Sequence, residues 1–168
     1  MSQSPKSIEY FLKKLDIERG AAQNTRDSYK RHLLHFEKFR GSDIDEANTD
    51  DIRNYLAYLE MRGEEPSKAF RRHSALRLFF RFLHAEEMRA DDPTVSIDLT
   101  EAEVEELLKA SKKSIDKFRE MLIVERGAAQ NTLDSYDGDL KFFSKFNRVD
   151  IALANTDDIR NYLAHLHK

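Results

Sequence analysis

Between Ser67 and Arg81 the chain sets Lys68, Arg71, Arg72, Arg77 and Arg81 with no acid among them, in a sequence whose formal charge is −3. At about 100° per residue, His73, Arg77, Arg81 and His84 fall in one strip beside an apolar face of Ala69, Leu76, Phe80 and Leu83. Guanidinium groups so arranged can meet successive phosphates, each neutralised phosphate releasing counterion. The same charges can instead solvate a helix and pair with Glu64, Glu65, Glu86 and Glu87, the ordinary use of a charge run. Lys30-Arg31-His32 forms a second basic patch, and backbone amides at Asn24-Thr25 would suit a phosphate if a helix starts there.

Other chemistry finds little support. His32 with His35, and His165 with His167, lack acidic or cysteine partners at ligand spacing, so no metal is expected. Asp50-Asp51 and Asp157-Asp158 follow Thr49 and Thr156 at helix starts, where carboxylates favour the helix dipole rather than acid–base catalysis. There is no glycine-rich phosphate loop and no Gly-x-Ser-x-Gly elbow. Zero cysteines exclude disulfides, thiolate sites and a cysteine nucleophile. No cofactor and no small-molecule substrate are expected.

The elements that must carry these residues are helices. Hydrophobic residues at 40% and charged residues at 35%, with only 5 glycines and 3 prolines, describe a folded, highly charged, helix-rich chain of 168 residues. Ile8, Phe11, Leu12 and Leu15 mark a first helix that Gly20 ends. Asn24 or Thr25 caps a second, with Tyr29, Leu33, Phe36 and Phe39 on one face. After a loop from Gly41 to Asn48, Thr49 caps a third, with Ile52, Tyr55, Leu56 and Leu59, closed by Gly63. Pro66-Ser67 starts a fourth, and Ala90 to Thr94 reads as a linker.

The stretch Lys6–Met61 then recurs as Lys113–Lys168, a constant 107 positions later. Ala47–Ala57 returns letter for letter as Ala154–Ala164, and Glu18–Thr25 as Glu125–Thr132, polar positions included. A shared core constrains only apolar positions, so this identity implies a recent duplication or an engineered chain. Pro66–Leu99 follows the first copy, whereas the second is expected to stop within its third helix at Lys168. From Thr100 to Glu125 there is neither Gly nor Pro, and Val104, Leu108, Ser111, Ile115, Phe118 and Leu122 step by four and three. One continuous helix of about 25 residues is expected, with a break capped at Ser111 or Ser114 as the alternative.

These motifs carry a resemblance. Glu18-Arg19-Gly20-Ala21-Ala22-Gln23-Asn24-Thr25 with Tyr29, Leu33 and Phe36 resembles the opening of the N-terminal core-binding domain of XerC/XerD-type tyrosine recombinases. Arg71–Leu83 resembles that domain's last helix, Asp91-Asp92-Pro93-Thr94 its interdomain linker, and Leu99–Leu108 the first helix of the catalytic domain. The resemblance implies an all-α fold: a four-helix SAM-like bundle over 1–89, a linker over 90–99, then a long helix and a repeated three-helix portion over 100–168. It implies duplex-DNA contact by Asn24, Thr25, Lys30 and Arg31 on the second helix, and by Lys68, Arg71, Arg72, Ser74, Arg77 and Arg81 on the fourth. The family's catalytic set includes a His-x-x-Arg pair, which none of the six histidines supplies. Tyr55 and Tyr162 stand at core-like positions. A non-catalytic module is therefore expected.

In the second copy Lys30-Arg31-His32 becomes Asp137-Gly138-Asp139. Acid near phosphate repels it, and a helical glycine costs about 1 kcal/mol against alanine, so any DNA site belongs to the first copy. A three-helix remnant should also leave Ile115, Phe118, Leu140, Phe143, Ile159, Tyr162 and Leu163 poorly covered. Such a face implies a homodimer through the second copy, packing on the first, or cover by Thr100–Lys112. A continuous helix would carry that last segment clear. The opening Met-Ser-Gln-Ser-Pro-Lys has no apolar core of a secretion signal, and a cytoplasmic protein without membrane contact is expected. Against DNA binding stands a purely structural, self-associating helical scaffold.

Overall fold

The computed structural model describes residues 5–168; Met1–Ser4, part of the opening read above for a secretion signal, lie outside the described residues. Among those described, the regular structure is helical. It comprises α1 (Lys6–Arg19), α2 (Gln23–Arg40), α3 (Thr49–Met61), α4 (Pro66–Ala85), α5 (Glu101–Arg126), α6 (Gln130–Asn147) and α7 (Thr156–Leu166). Single 3-10 turns occupy Ile44–Glu46 and Ile151–Leu153. The chain is all-α, as expected. It divides between Asp98 and Leu99 into two compact units.

In the first unit the stops fall where glycine allows them. Gly20 adopts φ 56°, so that its amide donates to the Asp16 carbonyl at 2.9 Å and the Ala21 amide to that of Leu15 at 3.3 Å. The starts differ from expectation. The cap of α2 is Ala22, which offers no side-chain acceptor, and Asn24 and Thr25 lie inside the first turn. Gln23 holds that turn instead, its amide donating to Asp27 at 2.8 Å while its carbonyl accepts from Arg26 at 2.7 Å. Asn48, not Thr49, caps α3, exchanging hydrogen bonds with Asp51. Thr49 is thereby free to donate its hydroxyl to the Pro93 carbonyl at 2.8 Å. Pro66 occupies the first turn of α4, where its missing N–H costs nothing.

Helix α4 packs on α1, α2 and α3 together. Ile8, Phe11, Phe36, Tyr55, Leu76 and Phe80 close the core between them, each at most 1% exposed. Burial of each such side chain stabilises the bundle by roughly 1.5–3 kcal/mol. The chain leaving α4 stays on this bundle. Arg89 donates to the Asp45 carbonyl at 2.9 Å, pairs with Asp91 and stands over the Phe80 ring. Pro93 and Thr94 are buried, and Ile97 joins the core cluster. The stretch read from sequence as a linker thus contributes packing to the first unit.

In the second unit α5 runs unbroken for 26 residues, opened by a Thr100–Glu103 capping box and closed by Gly127 at φ 57°. Ser111 does not cap a break. It is fully buried, with its hydroxyl 3.0 Å from that of Ser144 and accepting the Ile151 amide at 3.1 Å. The first half of α5 is therefore not carried clear, because this hydrogen-bonded knot ties it to the end of α6 and the following turn. Helix α6 ends on Arg148 at φ 54°, where the first copy has Gly41 at φ 75°.

Candidate nucleic-acid interface

Three helices press on α4, so well over half of its circumference is enclosed, a wider arc than the apolar spacing alone suggests. Phe70, Arg72, His73, Leu76, Phe79, Phe80 and Leu83 all lie inside. His73 is fully buried and so is not part of an accessible strip with Arg77, Arg81 and His84. Arg72 is also withdrawn: its side chain is 9% exposed, with Nε 3.4 Å from Glu64 Oε1. Five of the six expected α4 positions remain on the open side. Lys68 and Arg71 are exposed, and Ser74, Arg77 and Arg81 are half-buried along the same flank.

Helix α2 lies alongside. Its seam with α4 holds His32, buried, and His35, half-buried. Burial, then Arg72, Arg31 and Arg71, push the His32 imidazole down to about 4. His35 is lowered by burial and by Arg72, with Lys68 and Lys38 adding to it. Both rings are therefore neutral at pH 7, and the cations around them mark the outer rims of the seam. Arg31 and Lys38 stand on the α2 rim, Arg71 and Lys68 on the α4 rim. Because His32 neighbours Arg71 while His35 neighbours Lys68, the two helices run antiparallel. Asn24 and Thr25, both exposed, consequently lie towards the end of the seam where Arg77 and Arg81 stand.

Not every expected residue is equally available. Lys30 pairs with Glu9 of α1 at 2.9 Å, turned from α4. Arg31 is exposed and bonds only locally, to Ser28 at 3.3 Å. The Thr25 amide is engaged by the Ala22 carbonyl at 3.0 Å, which narrows the set of amides able to receive an anion. Sequence reading passed over Lys38, whose place on this rim depends on the antiparallel pairing of α2 with α4. It also missed the polar chain beneath. His35 Nδ1 lies 2.7 Å from Tyr55 Oη, and burial pushes the Tyr55 phenol up to about 12. Glu64 is held low: burial opposes this, but Lys68 and Arg72 together outweigh it.

Of the acids expected to absorb the α4 cations, Glu64 takes Lys68 and Arg72. Glu86 turns to α1 instead, accepting from Tyr10 Oη at 3.0 Å with Lys14 at 3.8 Å. In the second unit Asp137, in place of Lys30, is matched by Lys141 at 2.6 Å and Arg119 at 3.8 Å. The first copy has Leu34 and Leu12 at those two positions. Among the described residues no three His, Asp or Glu side chains gather to hold a metal ion, and no helix is long and apolar enough to cross a membrane.

Residues 8–87 and again 115–168 match the phage integrase N-terminal SAM-like domain. The chain belongs to this family. Both copies match the same domain, which accounts for the repeat. The tyrosine recombinase XerD of Rhizobium meliloti (strain 1021) is 46% identical over 94 residues, covering 54% of this chain and 30% of the relative. XerD of Brucella suis biovar 1 is 45% identical over 95 residues, covering 55% and 31%. XerD of Caulobacter vibrioides is 38% identical over 97 residues, covering 56% and 32%. The chain thus spans about a third of the length of these curated relatives. What it shares with the family is the N-terminal SAM-like domain; the catalytic domain is not matched. No solved structure matches it.

Proposed function

We propose that the first unit is a non-catalytic duplex-DNA-binding module derived from a site-specific tyrosine recombinase. The observation that carries this reading is the α2–α4 seam: an α4 without a single acid presents Lys68, Arg71, Arg77 and Arg81 on one open flank, beside Arg31 and Lys38 of α2. Ser74, Asn24 and Thr25 supply neutral donors along the same flank. Cations on two parallel rims can follow a phosphate backbone, and such contacts position a protein without reading sequence. Arg72 and Lys30 serve the fold, through Glu64 and Glu9. The two tyrosines at core-like positions do not suit strand cleavage either: Tyr55 is sealed and hydrogen-bonded, and Tyr162 packs edge-on to Phe143.

The gap-free repeat supports a rearranged or engineered origin for the chain. The rival reading, a helical scaffold without DNA binding, draws on the Glu64–Arg72 pair, which shows an α4 cation used for structure. A homodimer through the second copy draws on the exposed Ile159, Leu163 and Leu166 of α7.

Fluorescence anisotropy of labelled duplex DNA at several salt concentrations separates the first two. Binding is expected to fall steeply with salt. Arg77→Glu with Arg81→Glu should reduce the salt slope by about 2 and affinity by more than about tenfold. Absence of binding at low salt leaves the scaffold reading.

A further inference from the structure

The second unit repeats α1, α2 and α3 as the last part of α5, α6 and α7, and residues 99–168 contain no counterpart of α4. The first unit displays what covers the corresponding face. There Ile52 and Leu59 are 0% and 1% exposed, beneath a bundle that α4 completes. Their equivalents Ile159 and Leu166 are 49% and 57% exposed, and the neighbouring Leu163 is 48% exposed. The apolar chemistry that receives α4 is thus repeated without α4.

Two positions at the ends of that face have changed in a way that complements such a helix. In the first unit His32 stands where α4 brings Arg71 and Arg72, and three cations crowd it. The second copy has Asp139 there, and Gly138 removes the equivalent of Arg31. At the opposite end, Tyr10 meets Glu86 just beyond α4. The second copy has Lys117 in place of Tyr10. An acid waits where an α4-like helix carries arginines, and a cation where it ends in glutamate.

We infer that the second unit is a docking cup for a basic amphipathic helix of the α4 pattern, seated in the place α4 takes in the first unit. The first unit decides between this occupant and a second copy of the same face, because the matching face there receives a basic helix, α4, packed on α1, α2 and α3. Asp139 stands where that helix brings Arg71 and Arg72, and Lys117 where it ends in Glu86, so both meet counter-charge.

The probe is a fluorescein-labelled peptide of residues 64–89 of this chain, titrated with the full chain and followed by anisotropy. Saturable one-to-one binding is expected. Leu163→Asp should weaken it by more than about tenfold, because a carboxylate is then buried under the helix. Asp139→Arg should weaken it by about tenfold, and a peptide carrying Arg71→Glu with Arg72→Glu should regain that loss on the Asp139→Arg chain. A peptide with Leu76→Asp and Phe80→Asp should not bind, a control that leaves the protein untouched. The proposal is overturned if no saturable binding occurs, or if Leu163→Asp and Asp139→Arg leave it unchanged. It also fails if the chain sediments as a dimer that Leu163→Asp dissociates and the peptide cannot displace.

Discussion

Helices α3 and α7 begin with the same run, Asn48–Ala57 and Asn155–Ala164, and the same capping box, yet they meet different surroundings. In α3, Ile52 and Tyr55 are fully buried; in α7, Ile159 is half exposed and Tyr162 only partly covered. The aromatic contacts survive in both, with Tyr55 on Phe36 at 5.1 Å and Tyr162 on Phe143 at 5.2 Å. Local sequence therefore sets the helix, its cap and its nearest aromatic partner. Burial in the first copy comes with α4, for which residues 99–168 hold no counterpart. Of the residues expected to be poorly covered in the second copy, Ile115 and Phe143 are buried between α5 and α6, whereas Ile159 and Leu163 of α7 stand exposed.

Matched substitutions test this contrast most severely. Ile52→Ala should cost about 3 kcal/mol, whereas Ile159→Ala should cost under about 1 kcal/mol, because only the first opens a cavity in a closed core. Urea unfolding read by hydrogen exchange, segment by segment, assigns each loss to its unit. Equal costs would remove the distinction.

The next largest effect is a difference in pH response. His32 has a folded value of about 4, below the ordinary 6.5, so its contribution is present above pH 6.5 and lost as pH falls towards 4. The first unit should lose about 3 kcal/mol through this group between pH 7 and 4. The second copy, with Asp139 at that position, has no such group. His32→Gln should flatten the acid limb of the first unit's stability profile and leave the second unit's profile as it was.

The smallest changes concern backbone. A Cβ at Gly138 meets nothing within 4 Å, so Gly138→Ala should stabilise α6 by about 1 kcal/mol. Arg148 holds a left-handed conformation that glycine holds in the first copy, and Arg148→Gly should gain about 1 kcal/mol. Both gains should appear as raised urea midpoints in the second unit only.

Much of the fold is legible from spacing and punctuation: Gly20 and Gly127 as stops, Pro66 as a start, and a stretch without Gly or Pro as one helix. Starts at α2 and α3 were misplaced by one to three residues, because Gln23 and Asn48 compete with the nearby Asn24, Thr25 and Thr49 for the same turns. In the candidate site, the spacing of Lys68, Arg71, Ser74, Arg77 and Arg81 already defines a flank. The inward turn of His73 and Arg72 is not visible there, because periodicity gives the direction of an apolar face but not how many neighbours enclose it. Lys38 and the His35–Tyr55 bond needed the pairing of α2 with α4, which no local pattern encodes.

The unbroken passage of α5 through Ser111 makes the junction between the copies a matter of phase. Each residue inserted or deleted there would rotate the first half of α5 by about 100°, swinging Leu107 off the line it shares with Ser111 and Ile115. A seven-residue insertion would return it to within about 20° of that line. The join is thus keyed like a splined shaft, accepting only a few lengths of added chain.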